Sequence, residues 1–364
     1  MNVVFAAGGT GGHLYPAIAL AQEFLRRDPA TRVLFIGTTR GLEAKVLAHE
    51  GFTLKMVTAK PFMGGGMLRS LRALAALPLG VGQCLGILGE SQAQLVVGIG
   101  GYTSPPVLLS AWLRRIPRVI LEPNAYPGLA NRAMGPLAQR VFLAFEAASS
   151  GFAAKKVRVV GTPIRSSFLE QVASPSSTSS GRTPVLLVFG GSLGALAVNT
   201  AMVEALPRLK NSGIPMTIVH QTGEADHQRV KAAYEAAAVP AQVVPFIYDM
   251  PTELRRADLV VARAGAMTVA ELTACGKPAV LVPLPTAIYN HQEHNARAME
   301  AAGGAVVLRQ ADLTGDSLAR TIEGLLRDRA KREAMGRESK KSGRTDAASA
   351  VVDDCLALVR GGRA

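Results

Sequence analysis

Cysteine is scarce in this chain. Cys84, Cys275 and Cys355 are the only three in 364 residues, far apart and without a CxxC pair. That spacing argues against a disulfide framework and a cysteine zinc site, and it suits a reducing compartment. Aromatic residues make up 5%, and no RNA- or DNA-binding motif accompanies them, so nucleic acid is not the expected partner. Charged residues are 18% against 48% hydrophobic, a balance that excludes disorder for the chain as a whole. Two uncharged stretches, 91–113 and 183–203, reach membrane-spanning length. Gly-Gly pairs interrupt both, and Pro105-Pro106 interrupts the first, so they read as strand, loop and helix start. The opening residues 1–5 lack the basic region of a secretory leader. The expectation is a soluble protein, or one that lies on a membrane surface.

Positive charge is plentiful and uneven. The net charge is +13. Residues 1–165 carry 18 Lys/Arg against 7 Asp/Glu, net +11, whereas residues 166–364 carry 22 against 20, net +2. A basic first half points to an anionic membrane or an anionic substrate.

At roughly 100–200 residues per domain, the length predicts two domains. The pattern agrees. An apolar run at 3–7 leads into Gly8-Gly9-Thr10-Gly11-Gly12 and then into an apolar-periodic segment from Pro16 to Arg27. That is strand, glycine turn, helix. Further strands are expected at 32–37, 53–57, 95–99, 118–122 and 140–144, with helices at 41–50 and 105–114. The motif restarts 182 residues on: strand 185–189, glycine turn 190–194, helix 195–209. Two Rossmann-like, doubly wound α/β domains follow from that alternation. The Ser/Pro-rich stretch 173–184 reads as a solvated loop. The tail 346–359 has helical periodicity and reads as a docked terminal helix.

Several positions carry chemistry. The first glycine loop lacks the GK[ST] of a P-loop and is not a clean GxGxxG, so it reads as a phosphate cradle or a plain tight turn. His13 follows it, where the positive end of a helix dipole favours a neutral ring, suited to a general base; a packing or capping histidine is the blander alternative. Tyr102, Thr103 and Ser104 follow a strand, at the end where open α/β sheets bind ligands; alternatively Ser104 merely caps the next helix. Glu122, in Glu122-Pro123-Asn124 after another strand, is a second base candidate. Gly265, Ala266 and Thr268 open a helix that allows close phosphate approach, and Glu271 inside it can accept both hydroxyls of a ribose. His291 and His294 form an HxxH pair without a third ligand, read as a polar helix start, not a metal site. The basic segment 67–77 places Leu68 and Leu71 on one helical face, which suits a core or, beside Arg69 and Arg72, a membrane surface.

Taken together, GGTGGHLYPAIALA at 8–21, GIGGYTSPP, EPNAYPGLANR, GTPIR at 161–165, GGSLGALAVN at 190–199, RAGAMTVAELTACGKPAVLVP and HQEHNA resemble the MurG family in its own order, over nearly the whole chain. These are peptidoglycan glycosyltransferases. The resemblance implies the GT-B architecture, two Rossmann-like domains with an interdomain cleft. It implies a domain over 1–162, joined by helix 346–364, that takes the lipid acceptor and the membrane, and a domain over 163–345 that takes UDP-N-acetylglucosamine. The acceptor would be lipid I, the undecaprenyl-pyrophosphoryl muramyl pentapeptide, met at an anionic membrane surface on the cytoplasmic side. By motif position Ser192 would contact diphosphate. Gly265, Ala266, Met267, Thr268, Val269 and Ala270 would lie along the nucleotide, with Glu271 on the ribose. Ile247 would offer backbone groups to uracil, and Gln292 would contact the transferred sugar. Thr10, Gly11, Gly12 and Asn124 would close over that sugar, Tyr102 would line the site and Arg165 would reach it. Leu121 and Pro123 stand where many relatives carry His and Gln. No DxD-like acidic pair follows a strand, so no metal or other cofactor is required. The rival readings are a transferase acting on another lipid, a UDP-N-acetylglucosamine 2-epimerase, and a membrane-surface scaffold.

Overall fold

The computed structural model describes residues 1–7, 11–38, 43–60, 66–173, 182–191, 193–287 and 290–361. They form two compact units, Met1–Ser166 with Thr345–Ala364, and Ser167–Arg344.

The first unit is built on seven strands: β1 (Asn2–Ala7), β2 (Arg32–Gly37), β3 (Thr53–Met56), β4 (Leu95–Gly100), β5 (Arg118–Glu122), β6 (Arg140–Leu143) and β7 (Val157–Val159). All pair in parallel, in the order β3-β2-β1-β4-β5-β6-β7. The order reverses between β1 and β4, the crevice where doubly wound sheets hold ligands. Helices α1 (Gly11–Arg27), α2 (Glu43–His49), α3 (Gly66–Glu90), α4 (Ser104–Leu113) and α5 (Leu129–Met134) connect the strands. Period-two alternation divides the core. Val3 and Phe5 face Leu14, Ile18 and Phe24 of α1, together with Val351, Val352 and Cys355 near the carboxyl terminus. Val4 and Ala6 face Cys84, Leu88, Val107 and Leu108 on the other side. Each large apolar side chain buried this way contributes about 1.5–3 kcal/mol.

Three local expectations change. Helix α1 starts at Gly11 and carries Pro16 inside it, because glycines 11 and 12 have no side chain and leave no mark on a hydrophobic pattern. The segment 67–77 is part of one 25-residue helix that runs through Pro78; the side chains of 67–74 lie outside the described residues. Ser104 is not the cap of α4. The cap position is Thr103, whose side chain makes no capping bond. The reason is chemical: the N–H groups a cap would bind belong to the second and third helical residues, and here those are Pro105 and Pro106.

The second unit, which α6 (Ser166–Ala173) leads into, carries β8 (Val185–Phe189), β9 (Thr217–Gln221), β10 (Ala241–Val244), β11 (Leu259–Ala262), β12 (Ala279–Leu281) and β13 (Ala305–Val307). Its sheet is again parallel, ordered β10-β9-β8-β11-β12-β13, with the reversal between β8 and β11. Its helices are α7 (Leu196–Asn211), α8 (His227–Ala236), α9 (Met250–Arg256), α10 (Ala266–Cys275), α11 (His291–Ala301), α12 (Gly315–Arg327) and α13 (Arg329–Ser342). The last helix, α14 (Ala347–Gly361), returns to the first unit and packs on α1, held there in part by Arg27 on Asp353 at 2.8 Å. Most of 173–184 falls at 174–181, outside the described residues.

Candidate functional site

In the first unit β1 and β4 lie side by side at the point where strand order reverses, and α1 and α4 follow them in the chain. His13 is the third residue of α1 and is half-buried. Gly100 ends β4 with φ +116°, and a Cβ placed on it would lie 3.2 Å from the His13 ring and 3.2 Å from Asn131 Nδ2. A side chain at this position would crowd the imidazole, and the positive φ favours glycine. Ser104 fastens the two strand ends. Its Oγ accepts from Gly100 N at 3.0 Å and donates to Gly100 O at 2.8 Å, with Ala6 O at 3.3 Å. The Tyr102 hydroxyl lies 3.1 Å from Thr38 Oγ1 at the end of β2.

Glu122 is 1% exposed. Its Oε1 accepts from Asn124 N at 3.0 Å and Asn124 Nδ2 at 3.1 Å, and its Oε2 from Gly128 N and Asn131 Nδ2, both at 2.9 Å. Burial pushes this carboxyl above the usual range, and the four donors pull it back. Chemically the arrangement closes the 122–131 loop and fixes Asn124 and Asn131. The sequence gives Asn131 no role of its own; its signal is its place in EPNAYPGLANR, nine residues after Glu122. Arg165 lies with the first unit, its Nη1 3.1 Å from Glu50 Oε1 and its guanidinium over the Tyr15 ring at 5.5 Å. Gly11 and Gly12 form the first turn of α1; Thr10 lies outside the described residues. Leu121 and Pro123 are both buried.

In the second unit the corresponding reversal lies between β8 and β11, with glycines 190, 191 and 194 on one side and α10 on the other. Gly265 is the N-cap of α10, in extended conformation, and Ala266 through Ala270 form the helix start, with Glu271 its sixth residue. First-turn N–H groups have no partner within their helix, so this end presents donors and a positive dipole end to an anion. Arg263 props the neighbouring loop. It is buried, and donates to Val282 O at 3.1 Å, Pro283 O at 3.2 Å and Gln310 Oε1 at 2.7 Å; burial lowers its pKa. Asn295 Nδ2 donates to Ala264 O at 3.2 Å. Gln292, in the first turn of α11, accepts from Leu284 N at 3.0 Å. Ile247 is buried. Ser192 lies outside the described residues.

A buried polar network underlies the second glycine loop. His220 Nε2 is 3.1 Å from Asn199 Oδ1 and its Nδ1 is 3.1 Å from the Tyr234 hydroxyl. Burial pulls its pKa down to about 4, so a neutral ring links the two. Asn199 Nδ2 donates to Thr222 O at 2.9 Å and to Asp226 at 2.7 Å. Among the described residues no group of three or more His, Cys, Asp or Glu is placed to hold a metal ion.

The Glycosyltransferase family 28 N-terminal domain matches residues 3–143 and the family 28 C-terminal domain residues 185–351. The UDP-N-acetylglucosamine–N-acetylmuramyl-(pentapeptide) pyrophosphoryl-undecaprenol N-acetylglucosamine transferase of Syntrophus aciditrophicus is 44% identical over 360 residues, covering 99% of each chain. The chain belongs to the MurG family of family 28 glycosyltransferases. The enzyme of that name from Syntrophotalea carbinolica is 46% identical over 98% of each chain. The crystal structure of Acinetobacter baumannii MurG superposes with a TM-score of 0.79 at 29% identity, covering 98% of this chain and 99% of that one. The MurG family assignment agrees with two parallel-sheet Rossmann-like domains in one chain, the GT-B architecture.

Proposed function

We infer that this protein transfers N-acetylglucosamine from UDP-N-acetylglucosamine to the 4-hydroxyl of the muramyl sugar of lipid I, giving lipid II for peptidoglycan synthesis. The observation that carries this reading is end-to-end identity of 44% to a relative named for that activity. In this reading the first unit takes the acceptor and the second the nucleotide sugar. His13 accepts the proton of the attacking hydroxyl as the new bond to the anomeric carbon forms and the bond to UDP breaks, with inversion. The diphosphate leaves with its charge met by glycine-loop N–H groups, Ser192 and the α10 N-terminus. Glu271 takes the ribose hydroxyls, the Ile247 backbone takes uracil, and Gln292 takes the transferred sugar. Thr10, Gly11, Gly12, Tyr102 and Asn124 contribute from the first unit. Glu122, with both oxygens occupied by four donors, supports the loop and stands as the reserve base. The test is UDP release from UDP-N-acetylglucosamine with and without a muramyl-pentapeptide pyrophosphoryl-prenol. Acceptor-dependent release with a disaccharide lipid product is expected; release without acceptor would point to an epimerase-like chemistry instead.

The membrane part of the reading rests on the first unit. Among the described residues no helix is long and apolar enough to cross a membrane. Leu79 on α3 and Trp112 and Leu113 at the end of α4 are exposed, with Arg114 and Arg115 directly following. Apolar side chains beside cations suit an anionic bilayer surface, here the cytoplasmic face of the inner membrane. Binding to anionic vesicles is expected to fall steeply between low and high salt, because exposed charges are screened. Equal sedimentation with neutral vesicles would contradict it.

A further inference from the structure

Gln221 ends β9 and is 2% exposed. Its Nε2 donates to Gly191 O at 2.7 Å, and its Oε1 accepts from Ile247 N at 3.4 Å. One buried side chain therefore joins the second glycine loop to residues 245–248. The backbone runs beside it in the same sense: Thr222 N donates to Val244 O at 3.0 Å and Gly223 N to Pro245 O at 3.1 Å. These bonds tie the end of β9 to residues 244–245, and Gln221 bonds both to Ile247 and to Gly191.

On the proposed function, which this inference deepens and rests on, the glycine loop faces diphosphate and Ile247 faces uracil. We propose that Gln221 is a positioning residue for the donor, fixing the spacing between the uracil-reading segment and the diphosphate loop. The chemistry explains the residue type. The strut needs a donor at one end and an acceptor at the other of a single planar group, which an amide supplies. Methionine has similar length and supplies neither. Glutamate keeps the acceptor for Ile247 N, loses the donor, and sets a carboxylate against the Gly191 carbonyl.

The test compares Gln221→Met and Gln221→Glu with the wild type. Calorimetry with UDP measures binding, steady-state turnover separates KM from kcat, and thermal unfolding reports the fold. With two hydrogen bonds removed, the Kd for UDP and the KM for UDP-N-acetylglucosamine are expected to rise about tenfold in Gln221→Met. The kcat at saturating donor and the KM for the lipid acceptor are expected to stay within about twofold. A lowered melting temperature with unchanged UDP affinity would make Gln221 a core residue only and overturn the proposal. A fall in kcat with unchanged donor KM would overturn it as well. If Gln221→Met does not fold, Gln221→Glu decides by the same readouts, with the weakened UDP binding expected there too. Wild-type protein that binds UDP but transfers nothing would defeat the transfer reading alone, since the calorimetric comparison still decides the role of Gln221.

Discussion

Replacing His13 by alanine is expected to lower kcat by about 10²–10⁴, the range a positioned general base supplies, while the KM for UDP-N-acetylglucosamine changes little. The expectation comes from placement. His13 sits in the first turn of α1 at the strand-order reversal of its sheet. Its ring packs against Gly100, where a Cβ would lie 3.2 Å from it and the φ of +116° strains any other residue. Initial rates of acceptor-dependent UDP release at saturating donor and acceptor measure the effect. Full turnover by His13→Ala, with donor binding intact, would remove His13 from the base role and leave Glu122 to be tested. Gly100→Ala gives an independent check on the same geometry. It is expected to reduce turnover by displacing the imidazole, with UDP affinity kept because the elements proposed to hold the donor belong to the other unit.

Much of this was legible in the sequence, and the reason is periodicity. Buried parallel strands such as β4 and β8 are continuous apolar runs, and each is followed by glycines and a helix, so strand ends and their loops can be read from residue types alone. The restart at 185 gives the second sheet for the same reason. What was not legible are polar side chains whose partners are distant in sequence. Ser104 reads as a cap and is instead a clasp between β1 and β4, because two prolines remove the donors a cap needs. Glu122 reads as a second base candidate, and in the structure its carboxylate is ringed by Asn124, Gly128 and Asn131. Gln221 follows no motif rule; its role appears only when β8, β9 and β10 lie side by side. Arg165 is expected by resemblance to reach the site, and in the structure its charge is met by Glu50, 115 residues away. Local pattern fixes elements, whereas these contacts depend on strand order.

The second glycine loop makes the sharpest structural demand. Gly194 has φ +77°, and a Cβ there would lie 1.9 Å from Thr222 O; reciprocally, a Cβ on Gly223 would lie 2.2 Å from Leu193 O. Backbone meets backbone on both sides, so no rotamer change can relieve the clash. The segments must part, and Thr222 is anchored from beneath by Asn199 and from the side by Val244. Gly194→Ala is therefore expected to weaken UDP binding by more than about a hundredfold, beyond the loss of any single hydrogen bond, and to lower the melting temperature. Gly191→Ala is the informative comparison. Its φ is +92°, yet among the described residues nothing lies within 4 Å of the added methyl. It carries backbone strain alone, of order 1–2 kcal/mol, and should destabilise modestly while keeping most UDP affinity. Calorimetric titration of both variants with UDP, beside thermal melts, separates strain from displacement. Wild-type affinity in Gly194→Ala would mean that the loop yields without cost to the nucleotide site, and that the close packing of 190–194 on 222–223 serves the fold and not the ligand.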